Sequence, residues 1–249
     1  TNAQRSTILT TFLKAKSVGR EQSDLFVCSF SSHGFNQGPS AFIMPSDGSR
    51  QLLAETAVPL ASIERNMGDD ELGSKAGHRL LLVDACQERI PARGGSTGAA
   101  TEKTSRAFAD ELSKPTGQSK LASCGPGEFS FEADGLGGVG HGVFTHSFLE
   151  ALRGGAAADQ QQLVRLGPVA DFVAASVTRW TKDTGKPKQT PFLTAPVEAK
   201  KLPLAIKSDD LTTLIAGVRK QPLVNGLTAE FRIRLAEALA KANTSQGID

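Results

Sequence analysis

Cysteine is scarce in this chain: 249 residues hold three, Cys28, Cys86 and Cys124. Three thiols cannot all pair, which excludes a disulfide framework and favours a reducing, cytoplasmic setting. Charge of one sign is also missing. The 28 Lys and Arg stand against 26 Asp and Glu, and a net charge of +2 supplies no electrostatic drive towards nucleic acid or an anionic membrane. No apolar run approaches the about 20 residues of a membrane helix, and the amino terminus lacks the basic then apolar segment of a secretory signal. The expectation is a protein that binds neither nucleic acid nor membrane. Its four histidines and three cysteines show no zinc-ligand spacing, so no metal ligands are assigned. No segment repeats.

At 26.2 kDa the chain suits one α/β domain with an appendage better than two equal domains. Two short apolar runs organise it. Leu25–Phe30 ends in Ser31-Ser32-His33-Gly34, and Arg79–Val83 ends in Asp84-Ala85-Cys86-Gln87. Both runs read as buried strands of one parallel sheet, so the two polar clusters emerge at the same sheet edge. Leu60–Met67 between them reads as a crossover helix, completing a βαβ unit. Thr1–Lys14 reads as a helix from the spacing of Ile8, Leu9, Phe12 and Leu13. Residues 88–103 read as a long loop after Cys86, Arg106–Leu112 as a helix and Lys120–Cys124 as a third strand. Gly125–Gly140 reads as a second loop beside the same edge. Two amphipathic helices follow, Gly142–Leu152 and Leu166–Thr181. Pro187–Pro203 reads as an irregular return with one short strand. After residue 207 the composition turns strongly helical, and residues 208–249 are read as a helical extension or linker.

Taken alone, Cys86 at a strand end would be a packing thiol, as Cys28 and Cys124 are within their apolar segments. His33 changes that reading. A thiol of ordinary pKa is mostly protonated at neutral pH, and a neighbouring imidazole must take its proton before it attacks a carbonyl. His33 is the one histidine that ends a predicted strand at the right edge, between the small residues Ser32 and Gly34. His33 and Cys86 thus form a candidate catalytic dyad. Gly34 lets the backbone approach a substrate, and its N–H together with that of Cys86 suits an oxyanion hole.

The strand-Ser-x-His-Gly and strand-Asp-Ala-Cys-Gln motifs resemble the caspase, metacaspase and paracaspase superfamily, its bacterial members in particular. Histidine precedes cysteine by 53 residues, the order and approximate spacing of caspase-type pairs. The likeness extends over about residues 1–207, taking in His141–Thr145 and Gln189-Thr190-Pro191. It implies an α/β/α sandwich with a mainly parallel sheet flanked by helices. It also implies a cysteine endopeptidase that works through a thioester and needs no organic cofactor. The family's pattern places a further strand and helix ahead of Thr1, so a separate amino-terminal piece or regulatory partner is expected to complete the fold.

Asp84 stands two positions before Cys86, where such enzymes place the residue facing the substrate's primary side chain. An acidic residue there implies cleavage after Arg, then Lys, by a bidentate charge-assisted contact. A cap on the turn after its strand is the plainer use of Asp84. Arg89, Arg93, Lys103 and Arg106 lie in or beside the first loop, so self-cleavage there is expected. Asp69-Asp70-Glu71 resembles the acidic run of calcium-activated metacaspases, but its spacing matches poorly and a solvated helix end explains it as well. The rival readings are an inactive caspase-like interaction module and, more distantly, a ligating acyl-transfer enzyme.

Overall fold

The computed structural model describes residues 3–15, 24–68, 76–87, 108–136 and 140–207, and places Cys86 and Gln87 by their backbone. Among these residues a six-stranded sheet has the order β3-β2-β1-β4-β5-β9, with β1 at Leu25–Gln37, β2 at Ser40–Ile43 and β3 at Val58–Pro59. The others are β4 at His78–Gln87, β5 at Ser119–Ala122 and β9 at Phe192–Thr194. The middle of the sheet is parallel. β1 runs beside β4 in ten paired positions from Leu25↔His78 to Gly34↔Gln87, and β5 continues the parallel order on the far side of β4. The margins are antiparallel, since β2 folds back on β1 and β9 runs against β5.

Alternation along the strands builds two cores. Leu80, Leu82 and Leu121 face α5 (Val143–Glu150) and α6 (Leu166–Asp183), whose Phe144, Val169, Val173 and Val177 cover them. Leu81, Val83, Ala85 and Ala122 face the other way, onto Phe12 of α1 (Arg5–Ala15) and Ile63 and Met67 of α3 (Leu60–Met67). Phe108 and Leu112 of α4 (residues 108–113) complete that second core. Because β4 is covered on both faces, Leu80–Val83 reads as a continuous apolar run instead of an alternating one. The result is the expected α/β/α sandwich. No helix among the described residues is long and apolar enough to cross a membrane.

The structure extends the elements read from the sequence in two instructive places. β1 continues past Phe30 through the Ser-Ser-His-Gly motif to Gln37, because Gly34–Gln37 find antiparallel partners in Ile43–Ser40. The turn between them uses Gly38 at φ +58°, a conformation that costs other residues more. Likewise β4 runs on through Cys86. Two two-stranded ladders also escape sequence patterning because each strand has only two to four residues. They are β6 (Glu132–Ala133) with β7 (His141–Gly142), and β8 (Leu163–Arg165) with β10 (Pro203–Ile206). Among the described residues, no strand pairs with Leu25–His33 on the side of β1 away from β4. That open edge leaves Val27 46% exposed.

Candidate active site

β1 and β4 bring His33 and Cys86 to the same register position on adjacent parallel strands, about 4.8 Å apart in the hydrogen-bonding direction. His33 is exposed at the mouth of a cleft of about 680 Å³, and its ring lies 6.3 Å from that of Phe35. Its backbone is anchored on the β2 side. The His33 carbonyl accepts from Met44 N at 3.0 Å, and the neighbouring Ser32 hydroxyl donates to the Met44 carbonyl. Gly34 is buried beneath Phe108, where a Cβ would come within 3.0 Å of the ring. A side chain at that position would require the Phe108 ring to give by a few tenths of an ångström.

Asp84 lies in the same cleft, 8% exposed, with both carboxylate oxygens engaged. Ser130 Oγ donates to Oδ1 at 2.8 Å, and Thr145 Oγ1 from the first turn of α5 donates to Oδ2 at 2.5 Å. Asp84 thus lines the cleft and is held by hydroxyls from two other parts of the chain. Gly142 closes over it. A Cβ on that residue would stand 2.5 Å from Asp84 Oδ2, nearer than real contacts allow. Gly142→Ala is expected to destabilise the fold by about 1–3 kcal/mol through this overpacking. Denaturant unfolding reads the effect, and an unchanged midpoint would mean that the carboxylate has room to yield.

The second loop supplies the opposite wall. Ser123 N donates to the Val83 carbonyl at 2.9 Å, Ala85 N donates to Ser123 Oγ at 3.3 Å, and the chain then carries Ser130 and Glu132 to the cleft. Glu132 is exposed and adds a second carboxylate to the cleft that Asp84 lines. The sequence marks Gly125–Gly140 as a loop beside this edge and singles out neither Ser130 nor Glu132 within it. Nor does it mark Thr145 as a partner of Asp84. No local signal marks these residues, because each acts across 46 or more positions of sequence.

The other cysteines behave as packing residues. Cys124 is buried and approaches the Ala85 carbonyl at 3.8 Å. Cys28 lines the far part of the cleft, and burial pushes its thiol up to about 12. His141 and His146 stack on each other with ring centroids 6.4 Å apart. Arg89, Arg93, Lys103, Arg106 and the Asp69-Asp70-Glu71 run lie outside the described residues, as does the extension 208–249. Among the described residues no group of three or more His, Cys, Asp or Glu side chains is placed to hold a metal ion.

No curated protein matches the chain. A crystal structure of a protein from Geobacter sulfurreducens is similar at a TM-score of 0.47 and 15% identity, covering 83% of this chain and 80% of that one. The peptidase C14 family, described as the caspase domain, matches residues 1–202, a span that includes every described element through β9 and both motifs. With that match joined to the parallel pairing of the His33 and Cys86 positions, the chain belongs to the caspase-domain family of cysteine peptidases.

Proposed function

We propose that this protein is a cysteine endopeptidase that hydrolyses peptide bonds after Arg and, second, Lys. The single observation that carries the reading is the pairing of His33 with Cys86 across β1 and β4. His33 takes the thiol proton, and Cys86 attacks the scissile carbonyl to give a tetrahedral intermediate. The backbone N–H groups of Gly34 and Cys86 hold its oxyanion. His33 then protonates the departing amine, leaving a thioester that water hydrolyses to return free Cys86. Supporting the preference for basic residues, Asp84 and Glu132 line one cleft with His33, so a guanidinium beside the scissile bond meets two carboxylates. Self-processing follows if Arg89, Arg93 or Arg106 reaches the cleft of its own or another copy.

The open edge of β1 bears on activation. The cleft that holds His33 is also lined by Phe30 and Phe26 of β1 and by Ile8 and Phe12 of α1. An added strand there, from further polypeptide or a regulatory partner, would pair along this edge and brace the strand that bears His33.

The test is hydrolysis of fluorogenic peptides ending in Arg, Lys, Asp or Leu, with and without calcium, by wild type and Cys86→Ala. Cleavage after Arg that disappears in Cys86→Ala is the expected result. Cleavage after Asp would keep the nucleophile and sink the pocket assignment. Silence towards all four peptides would favour the interaction module.

A further inference from the structure

We propose that Gln189 is a positioning residue that sets the direction of the hydrogen bonds reaching Asp84 and thereby sharpens selection of a cationic side chain. The inference rests on the reading of Asp84 as the base of the primary pocket. Gln189 is completely buried, in the segment that leads into β9. Its Oε1 accepts from Phe131 N at 3.1 Å, while its Nε2 donates to the Ser123 carbonyl at 2.9 Å and to Ser130 Oγ at 3.0 Å.

These partners leave no freedom in the amide's orientation. A backbone N–H only donates and a backbone carbonyl only accepts, so Phe131 identifies the oxygen and Ser123 identifies the nitrogen. Both Nε2 protons are then committed. Ser130 Oγ must accept one of them, and the single proton of that hydroxyl goes to Asp84 Oδ1 at 2.8 Å. Thr145 grips the other carboxylate oxygen. The chain of donors thus runs one way, from Gln189 through Ser130 to Asp84, and holds the carboxylate as an acceptor with its plane fixed. A pre-set acceptor avoids reorganisation when a guanidinium arrives, and an uncharged isostere of Arg gains less from it. Without the Gln189 amide, the Ser130 hydroxyl loses the donor that directs its proton to Asp84, and this restraint on the carboxylate weakens.

Glu128 provides the control. It clamps the same loop, accepting from Gly125 N at 3.0 Å, from Thr190 N, and from Thr190 Oγ1 at 2.9 Å, yet none of these contacts passes through Ser130. A purely structural role for Gln189 would make the two residues alike.

The experiment uses Cys86→Ala protein, which binds peptides without turning them over. Fluorescence anisotropy gives the affinities of two peptides that differ only in Arg or citrulline at the cleavage position. Gln189→Met and Ser130→Ala are each expected to lower the Arg-to-citrulline affinity ratio about tenfold, and the double substitution no further. Glu128→Gln is expected to lower the melting temperature and leave the ratio unchanged. An unchanged ratio in folded Gln189→Met, or additive losses in the double variant, would overturn the inference. Should Gln189→Met not fold, Ser130→Ala breaks the same link with the Gln189 amide retained, and an unchanged ratio there is equally fatal. Loss of the ratio in Asp84→Asn but not in Gln189→Met would defeat this inference alone. A parent protein that binds both peptides equally would defeat the Asp84 reading and this one with it.

Discussion

Cys86→Ala and His33→Ala are each expected to lower kcat/KM on an Arg peptide by at least about a thousandfold, and the double substitution little further. The two residues act as one unit: without the imidazole the thiol stays protonated, and without the thiol the imidazole has nothing to activate. Cys86→Ala removes one sulfur at the end of a strand held by ten register pairs, so the melting temperature should scarcely change. Alkylation separates this from a mere packing effect. The Cys28 thiol, pushed up to about 12, is almost wholly protonated at pH 8 and reacts slowly. Iodoacetamide should therefore modify Cys86 first, as read by peptide mass spectrometry, and His33→Ala should slow that reaction. Preferential labelling of Cys28, or activity surviving in Cys86→Ala, would remove Cys86 as nucleophile.

Lys120→Met is expected to cost about 3–5 kcal/mol of stability, the largest effect of any single change away from the cleft. Lys120 on β5 has no solvent exposure, and its Nζ donates to Glu64 Oε1 of α3 at 2.9 Å and to the Glu111 carbonyl of α4 at 3.2 Å. Removing the ammonium leaves the Glu64 carboxylate buried and unpaired. Burial already pushes the Glu64 carboxyl above its ordinary value, opposed by the hydrogen bond and charge of Lys120. A raised carboxyl pKa means the folded state holds a proton that the unfolded chain has released. Stability contributed by Glu64 therefore declines as pH rises above about 4.5 through the folded value. Losing Lys120 extends that window upward, so the deficit of Lys120→Met should be greatest at neutral pH and shrink on acidification. Urea unfolding at pH 5 and pH 8 checks it, and an equal deficit at both would show that Glu64 is not the group left stranded.

The parts of the site that were legible in the sequence are those built from local pattern. Leu25–Phe30 and Arg79–Val83 announce buried strands by composition, and the polar residues that follow them announce reactive ends. Asp84 was legible because it stands two residues from Cys86 on the same strand. The parts that Glu132, Thr145 and Gln189 play in the cleft were not, although Ser130, Thr145 and Gln189 complete the hydrogen bonds around Asp84. The short ladders that deliver Glu132 are likewise too brief to carry a period.

By itself the sequence determined the alternation of strands and helices, and it supplied the candidates His33, Cys86 and Asp84 for the site proposed above. Each follows from contiguous residues whose apolar spacing or chemistry is readable in place. Only the tertiary structure decided that His33 and Cys86 share a register and that, among the described residues, no strand covers the outer side of Leu25–Ser32. The course of the donors from Gln189 to Asp84 was decided there too. Hydrogen bonds and strand pairing depend on distance in space, and residues 46 to 66 positions apart carry no mark of it until the sheet has formed.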